Sequence, residues 1–547
     1  MLVRRTAFDL PLLLFLASAT LGIWTAYDKD AAWGKFWLIV GGIIAFYAVA
    51  WMPERVGRVE SLRIVFAVLP LVIGIYFLLT NDWREPHNAT RWLYQHWPPM
   101  VADALPLLSG YRLHANTLSG LMAVFVPLQV AAFFNRPDLR NVRRHPAQAV
   151  LGLIAVGFSL VMLIGGRSQG AALALSLTTA EWLLQKGYAR LSERWSRPMA
   201  LLTLAIPLAI GAALFGPLAL GLRTDRVDVW RNSFDLASDY PFTGLGLDNF
   251  TMPYSSYVLL VHVEHTTHAH NLYLDFWLNQ GMLGLIAFVA MLVIAFTRRD
   301  VVPCWHTAAL AAVTVLALHG VVDDALYGYH GGKAVALMFI PFGVLARPGE
   351  QLRALREERL HAPQPGRPRP TILVFAGAAG IAVMLGLLLL PATRAMFYRN
   401  MGALAQTQAE MSAYRLHREG SIQDAMRLRP DVNLQPAIND YLAALGQDPM
   451  DPGANRRLAQ IELTLGRFED AHAHLLKAYA SAPHQRATRQ LLGESYAIRG
   501  QVAEAVRLWR TVDVSQDQLT IRVWWYSLFT KQEERARWIE KAIESLD

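Results

Sequence analysis

The chain has 547 residues, of which 54% are hydrophobic and only 17% charged, against about 25% charged in an ordinary soluble domain. That balance excludes a wholly soluble globular protein, and a single cysteine, Cys304, excludes an intrachain disulfide framework or a cysteine-based metal site. The formal charge of +8 would suit nucleic acid if it lay on one soluble face, but the cations gather in one set of loops between apolar runs, which argues for a membrane instead.

Residues 1–395 divide into apolar runs joined by polar loops. A spanning helix needs about 20 mostly apolar residues. The segments that fit are Phe8–Tyr27, Gly34–Met52, Leu62–Thr80, Ala115–Phe134, Ala147–Gly165, Gly170–Leu184, Met199–Gly221, Gln280–Thr297, Trp305–Val322, Lys333–Ala346 and Thr371–Pro391, about eleven in all. The first follows MLVRR and has no small-residue cleavage site before Lys29, so it reads as a membrane helix and not as a removed leader. The sixth and tenth are short, which tilt or shielding by neighbouring helices would accommodate.

The loops test this count. With the N-terminus inside, the inner loops contain Arg55, Arg58 and Arg63, then Arg136 to Arg144, Lys186 to Arg197, Arg298 and Arg299, and the stretch Arg347 to Arg369. The opposite loops are longer and poorer in cations, as positive-inside topology requires. Two of them are sizeable, about 81–114 and 222–279. An odd number of spans then places residues 396–547 outside, in the periplasm of a Gram-negative cell.

Polar residues of unusual kind collect on that outer side. Gly165-Gly166-Arg167-Ser168-Gln169-Gly170 joins two spans, and Arg167 has either an anion to hold or an ion pair to make with Asp323 or Asp324. Arg226 and Trp230 lie four apart, on one helical face, with Arg231 beside them. A guanidinium grips phosphate oxygens in a bidentate fork, although it can also snorkel to lipid headgroups. His270 and Asn271 precede Gly281 and Gly284 at the entry to a span, where glycines permit close backbone packing. Imidazole suits proton abstraction near neutral pH; the plainer reading is a loop hydrogen bond. His262, Glu264, His265, His268 and His270 suggest a metal, but the run contains β-branched residues and lacks a second separated ligand pair, so no metal is expected. Gly244-Leu-Gly246 has no βαβ unit around it and reads as a turn.

Beyond the last span a period emerges. Leu458, Ala459, Glu462, Gly466, Ala471 and Leu475 recur 34 residues later as Leu492, Gly493, Tyr496, Gly500, Ala505 and Trp509. Half a repeat precedes them at Ala437, Tyr441, Ala444 and Pro449. Small residues at fixed places let paired helices approach closely, and the segment resembles tetratricopeptide repeats. It is expected to be a scaffold or a surface for a protein partner.

His270-Asn271 with Gly281-Met-Leu-Gly284, the stretch from Arg226 and Trp230 to Pro241, Gly244, Gly246 and Asn249-Phe250, and Gly166-Arg167-Ser168 together resemble the O-antigen ligases and O-antigen polymerases over about residues 110–345. One departure is Gln169, where many members have glycine after the serine. The resemblance implies an all-α polytopic membrane glycosyltransferase of the GT-C type, residues 1–395, followed by the helical repeat domain. It implies no metal, no nucleotide sugar and no other cofactor. The donor would be a glycan on undecaprenyl diphosphate and the acceptor a hydroxyl, on lipid A–core for a ligase or on another lipid-linked glycan for a polymerase. Protein hydroxyls serve a third branch. His270 would be the base; Arg226 and Arg167 would hold the diphosphate; Asn271, Trp230, Arg231, Ser168, Gly281 and Gly284 would support them, with Asp323 or Asp324 matching an acidic position more loosely. A ligase is the favoured class and a polymerase the alternative. A non-enzymatic transporter or scaffold is disfavoured by the absence of repeated halves in the membrane part.

Overall fold

The computed structural model describes residues 5–52, 56–81, 107–134, 146–188, 224–258, 266–297, 303–328, 334–347, 390–412, 423–512, 514 and 516–546. Among these the architecture is all-helical, with no strand. The apolar part holds α1 (Asp9–Thr25), α2 (Lys29–Ala50), α3 (Val56–Thr80), α4 (Ala115–Phe134), α5 (Pro146–Gly165), α6 (Gln169–Tyr188), α7 (Thr224–Asp239), α8 (Thr251–Tyr257), α9 (Leu272–Thr297), α10 (Pro303–Val322), α11 (Val335–Met338) and α12 (Ile340–Leu345). Four described helices are long and apolar enough to cross a membrane: Lys29–Ala50, Ala115–Phe133, Leu272–Thr297 and Trp305–Val322. Asp9–Thr25, Ile64–Thr80, Val150–Gly165 and Val335–Leu345 are shorter apolar helices at expected spans. The expected seventh span and all but the end of the eleventh lie outside the described residues, as do Lys333, His262, Glu264 and His265.

Two spans differ most from expectation, while the second and third begin five and six residues earlier, at Lys29 and Val56. The eighth begins at Leu272, eight residues before Gln280, because Asn271 caps it: the amide Oδ1 accepts from the backbone N–H of Tyr273 and of Leu274, each at 3.1 Å. The tenth is two short helical pieces meeting at Phe339, whose ring packs edge-on against Phe15. Around that point Phe276, Phe288 and Phe342 fill the centre of the bundle. Large apolar side chains such as Leu10, Leu13, Ile44, Ile154 and Val293 stay exposed on the outer helix faces, as lipid contact requires.

Helix α9 is broken at Gly281, where φ is 69° and ψ −176°. The break frees helical polar groups, and the turn 241–249 takes them up. Met282 N–H donates to the Pro241 carbonyl at 3.1 Å, and Leu245 N–H donates to the Leu278 carbonyl at 2.6 Å. Only glycine fits there, since a Cβ would run into the Phe242 carbonyl. Gly284, one turn further, faces Ser18 of α1.

The remaining α-helices are α13 (Pro391–Ser412), α14 (Gln423–Arg427), α15 (Gln435–Gln447), α16 (Pro452–Thr464), α17 (Phe468–Ser481), α18 (Arg486–Ala497), α19 (Val502–Trp509), α20 (Gln516–Trp524) and α21 (Glu533–Glu544), with a π-helical turn at Trp525–Phe529. Helices α16 and α17 pair, as do α18 and α19, and their first residues, Pro452 and Arg486, stand one sequence period apart. Ala459, Ala471, Leu475, Ala505 and Trp509 are buried between them.

Candidate active site

Four segments meet at one end of the bundle: the start of α4, the α5–α6 turn, the start of α9 and the end of α10. Asp323, the first residue beyond α10, is the hub. Its Oδ1 accepts from His270 Nδ1 at 3.0 Å, from His268 Nε2 at 3.4 Å and from the backbone N–H of Asp324 at 2.9 Å. Its Oδ2 accepts from Asn116 Nδ2 at 3.1 Å and lies 3.9 Å from Arg226 Nη2. Burial alone would raise this carboxyl, but the hydrogen bonds from His268 and His270 hold it well below the usual carboxylate range. The result is a fixed anion beneath two imidazoles.

The two histidines differ. His268 is buried, and its ring lies 4.1 Å from that of His270, centre to centre. Its Nε2–H points to Asp323, so its Nδ1 is free to accept from the Thr267 hydroxyl at 3.0 Å. Burial pushes it down to about 4, against the pull of Asp323, so it is neutral at physiological pH. His270 keeps 27% of its side chain exposed. Because Nδ1–H is spent on Asp323, Nε2 carries a lone pair. The residue sits at φ 51°, in the left-handed region, and its carbonyl accepts from Trp230 Nε1 at 2.9 Å. Below it, Asp275 Oδ1 accepts from the Ala269 N–H at 2.9 Å, and Asn271 Nδ2 donates to the Val321 carbonyl at 2.9 Å, which ties this segment to α9 and α10.

The expected residues fare unequally. Arg226 reaches the hub, and its Nη1 also donates to the Val322 carbonyl at 3.0 Å. Ser168 is buried with its Oγ 3.4 Å from His319 Nε2, while Gly170 packs on His319 and Val322. Arg167, at φ 53° and exposed, belongs to the same turn, but no ion pair joins it to Asp323 or Asp324 among the described residues. Arg231 points elsewhere: it pairs with exposed Asp228 at 3.4 Å. Asp324 takes no side-chain part in the hub. Its Oδ1 accepts from the Tyr327 N–H at 2.9 Å, its Oδ2 turns with that of Asp275 toward Gly328, and burial pushes it up to about 6. Beneath the site, buried Lys35 donates to Asn279 Oδ1 at 2.9 Å and lies 4.0 Å from Asp248.

Sequence reading missed His114, Asn116, Asp275 and His319, and discounted His268. His114 caps the approach to α4, with its Nδ1 accepting from the Asn116 N–H at 3.2 Å, and burial lowers it. A signal existed: these polar groups stand at or inside the ends of apolar runs on the same side as His270. The ligating atoms of His268, His270 and Asp323 lie within 4.8 Å of one another, a spacing that could hold a metal ion. The same atoms are also matched to each other as donors and acceptor.

A neutral buried histidine makes stability depend on pH. An unfolded histidine titrates near 6.5, and the folded His268 near 4, so between these values only the unfolded chain takes the proton. Stability from this group is therefore full above pH 6.5 and is lost as pH falls, by about 2 kcal/mol at pH 5. Thermal melts at pH 7 and pH 5 should show a larger drop for the wild type than for His268→Gln. Equal drops would contradict the assignment.

A family model described as O-antigen ligase matches residues 104–289, a stretch that holds Arg167, Arg226, His270, Gly281 and Gly284 and stops before Asp323. No curated protein matches the chain. The family match points to glycan transfer of the O-antigen ligase or polymerase type, by a glycosyltransferase-like enzyme in a membrane.

Proposed function

We propose that the chain moves a glycan from undecaprenyl diphosphate to an acceptor hydroxyl at the periplasmic face of the bacterial inner membrane, as a ligase acting on lipid A–core. The observation that carries this reading is a partly exposed His270 held by a buried, ionised Asp323, with the Arg226 guanidinium 3.9 Å from the same carboxylate. His270 Nε2 takes the acceptor proton as the hydroxyl oxygen attacks the anomeric carbon. The bond from that carbon to the diphosphate oxygen breaks with inversion, and the diphosphate departs with its charge met by Arg226 and by Arg167 across the rim. Polyprenyl diphosphate is a good leaving group, so guanidinium charge takes the place of a metal, and no cofactor is needed. Residues 1–395 form the transferase domain, and 396–547 a periplasmic tetratricopeptide-like domain able to receive a protein partner.

The test is a deletion strain complemented with wild type, His270→Ala or Arg226→Ala, with glycolipids resolved on gels. A ligase predicts uncapped core and accumulated lipid-linked polymer in both variants. Core bearing one repeat unit would assign polymerisation instead. Unchanged glycans in both variants would remove the enzymatic reading, and loss of purified activity in EDTA that zinc restores would overturn the metal-free chemistry.

A further inference from the structure

Helix α7 connects two places. Its first turns carry Arg226 and Trp230 to the His270–Asp323 hub, and its last residue, Asp239, is buried among guanidinium groups from the C-terminal helices. Asp239 Oδ2 accepts from Arg457 Nε at 2.7 Å and from Arg456 Nη2, while Arg399 Nη2 donates to the neighbouring Ser238 carbonyl at 2.8 Å. An acid at a helix C-terminus opposes the helix dipole. Here the three arginines override that cost, and they hold the carboxyl below its usual range although burial alone would raise it. Gly453 lets the cluster close, since a Cβ there would lie 2.7 Å from Asp239 Oδ1.

The clasp continues along the chain. Tyr240 OH bonds Thr407 Oγ1 at 2.6 Å and accepts from Arg457 Nη2 at 2.9 Å. Asn400 Oδ1 accepts from the N–H groups of Phe242, at 3.0 Å, and Thr243, at 3.3 Å, in the turn that fills the break of α9. Arg486 Nη1 donates to the Val258 carbonyl at 2.9 Å. Helix α7 and the turn after it are thus held from the C-terminal helices, at the other end from the chemistry.

We propose that the C-terminal helices are a splint for the active site and that Asp239 is its positioning residue, fixing α7 so that Arg226 and Trp230 stay in register with His270. The proposal rests on the glycan-transfer reading for its consequence but not for its geometry. Two readouts separate them. In full-length protein in lipid nanodiscs, Asp239→Asn should raise hydrogen exchange of residues 224–231 about tenfold. It should also lower kcat with undecaprenyl-diphosphate-linked glycan about tenfold while the acceptor KM stays put, because Arg226 acts on the leaving group. Asp239→Glu should restore both. Should Asp239→Asn not fold, Asn400→Ala, which leaves no buried charge unpaired, should shift both readouts in the same direction. Wild-type exchange at 224–231 in these variants, or a kcat loss that Asp239→Glu does not recover, overturns the splint. If the wild type transfers no glycan, the transfer reading fails by itself, and the exchange contrast still decides the role of Asp239.

Discussion

Asp323→Asn will leave a folded protein whose glycan transfer is slower by about 10²–10⁴, the range spanned by loss of a general base. The carboxylate does two things at once. It accepts the Nδ1–H of His270 at 3.0 Å, which selects the tautomer with a basic Nε2, and it gives Arg226 an anionic neighbour at 3.9 Å. An asparagine amide can turn its NH₂ toward Nδ1, which then becomes the acceptor and moves the ring proton to Nε2. The imidazole stays in place with the wrong nitrogen protonated. Single-turnover rates with purified protein measure the effect, and melting temperature checks the fold. A variant rate within about threefold of wild type would mean that His270 is not the base, since loss of a base costs far more than that.

Gly281→Ala is the second large effect, on stability. At φ 69° and ψ −176° the residue occupies a region that is essentially glycine-only, with a strain of order 1–3 kcal/mol for any side chain. The added Cβ would also meet backbone, 2.7 Å from the Phe242 carbonyl carbon and 3.0 Å from that of Thr243, and backbone cannot rotate aside. Together these predict a loss of about 3–5 kcal/mol, among the largest seen for single substitutions. Gly284→Ala is the matched control. Its Cβ would meet the Gln280 Cβ at 2.5 Å and the Ser18 hydroxyl at 3.2 Å, a crowding cost of about 1–3 kcal/mol, but its backbone is helical and carries no left-handed strain, so a smaller loss than at Gly281 is expected. Equal melting temperatures for the two variants would refute the backbone argument.

What could be read from the chain was what local pattern encodes. The apolar runs, the glycines at which α9 breaks and the His270–Asn271 pair at its start are contiguous signals. Arg226 was legible for the same reason. Arg231 was not separable from it by sequence, because helical residues five apart point about 140° apart and nothing local says which one faces inward. Asp323 matched only loosely, yet it organises the site; its partners, His268 and His270, lie more than 50 residues away. The clasp on α7 was illegible for the same reason on a larger scale: Asp239 and Arg456 are separated by 217 positions. A charge on an amphipathic helix normally means a solvated face, and only the folded chain reveals that these face each other.

Helix α9 has 26 residues in two pieces either side of Gly281, which at 1.5 Å per residue is ~39 Å of helix in all. Hydrocarbon alone accounts for ~30 Å of a bilayer. On the proposed topology the nine residues before the glycine break would rise into the zone of lipid phosphates and carry the imidazole pair that precedes them to that depth. The proposed polyprenyl-diphosphate donor would carry its charge at this level, so it would meet Arg226 by drifting sideways in the leaflet, with no part of its hydrocarbon tail extracted into water.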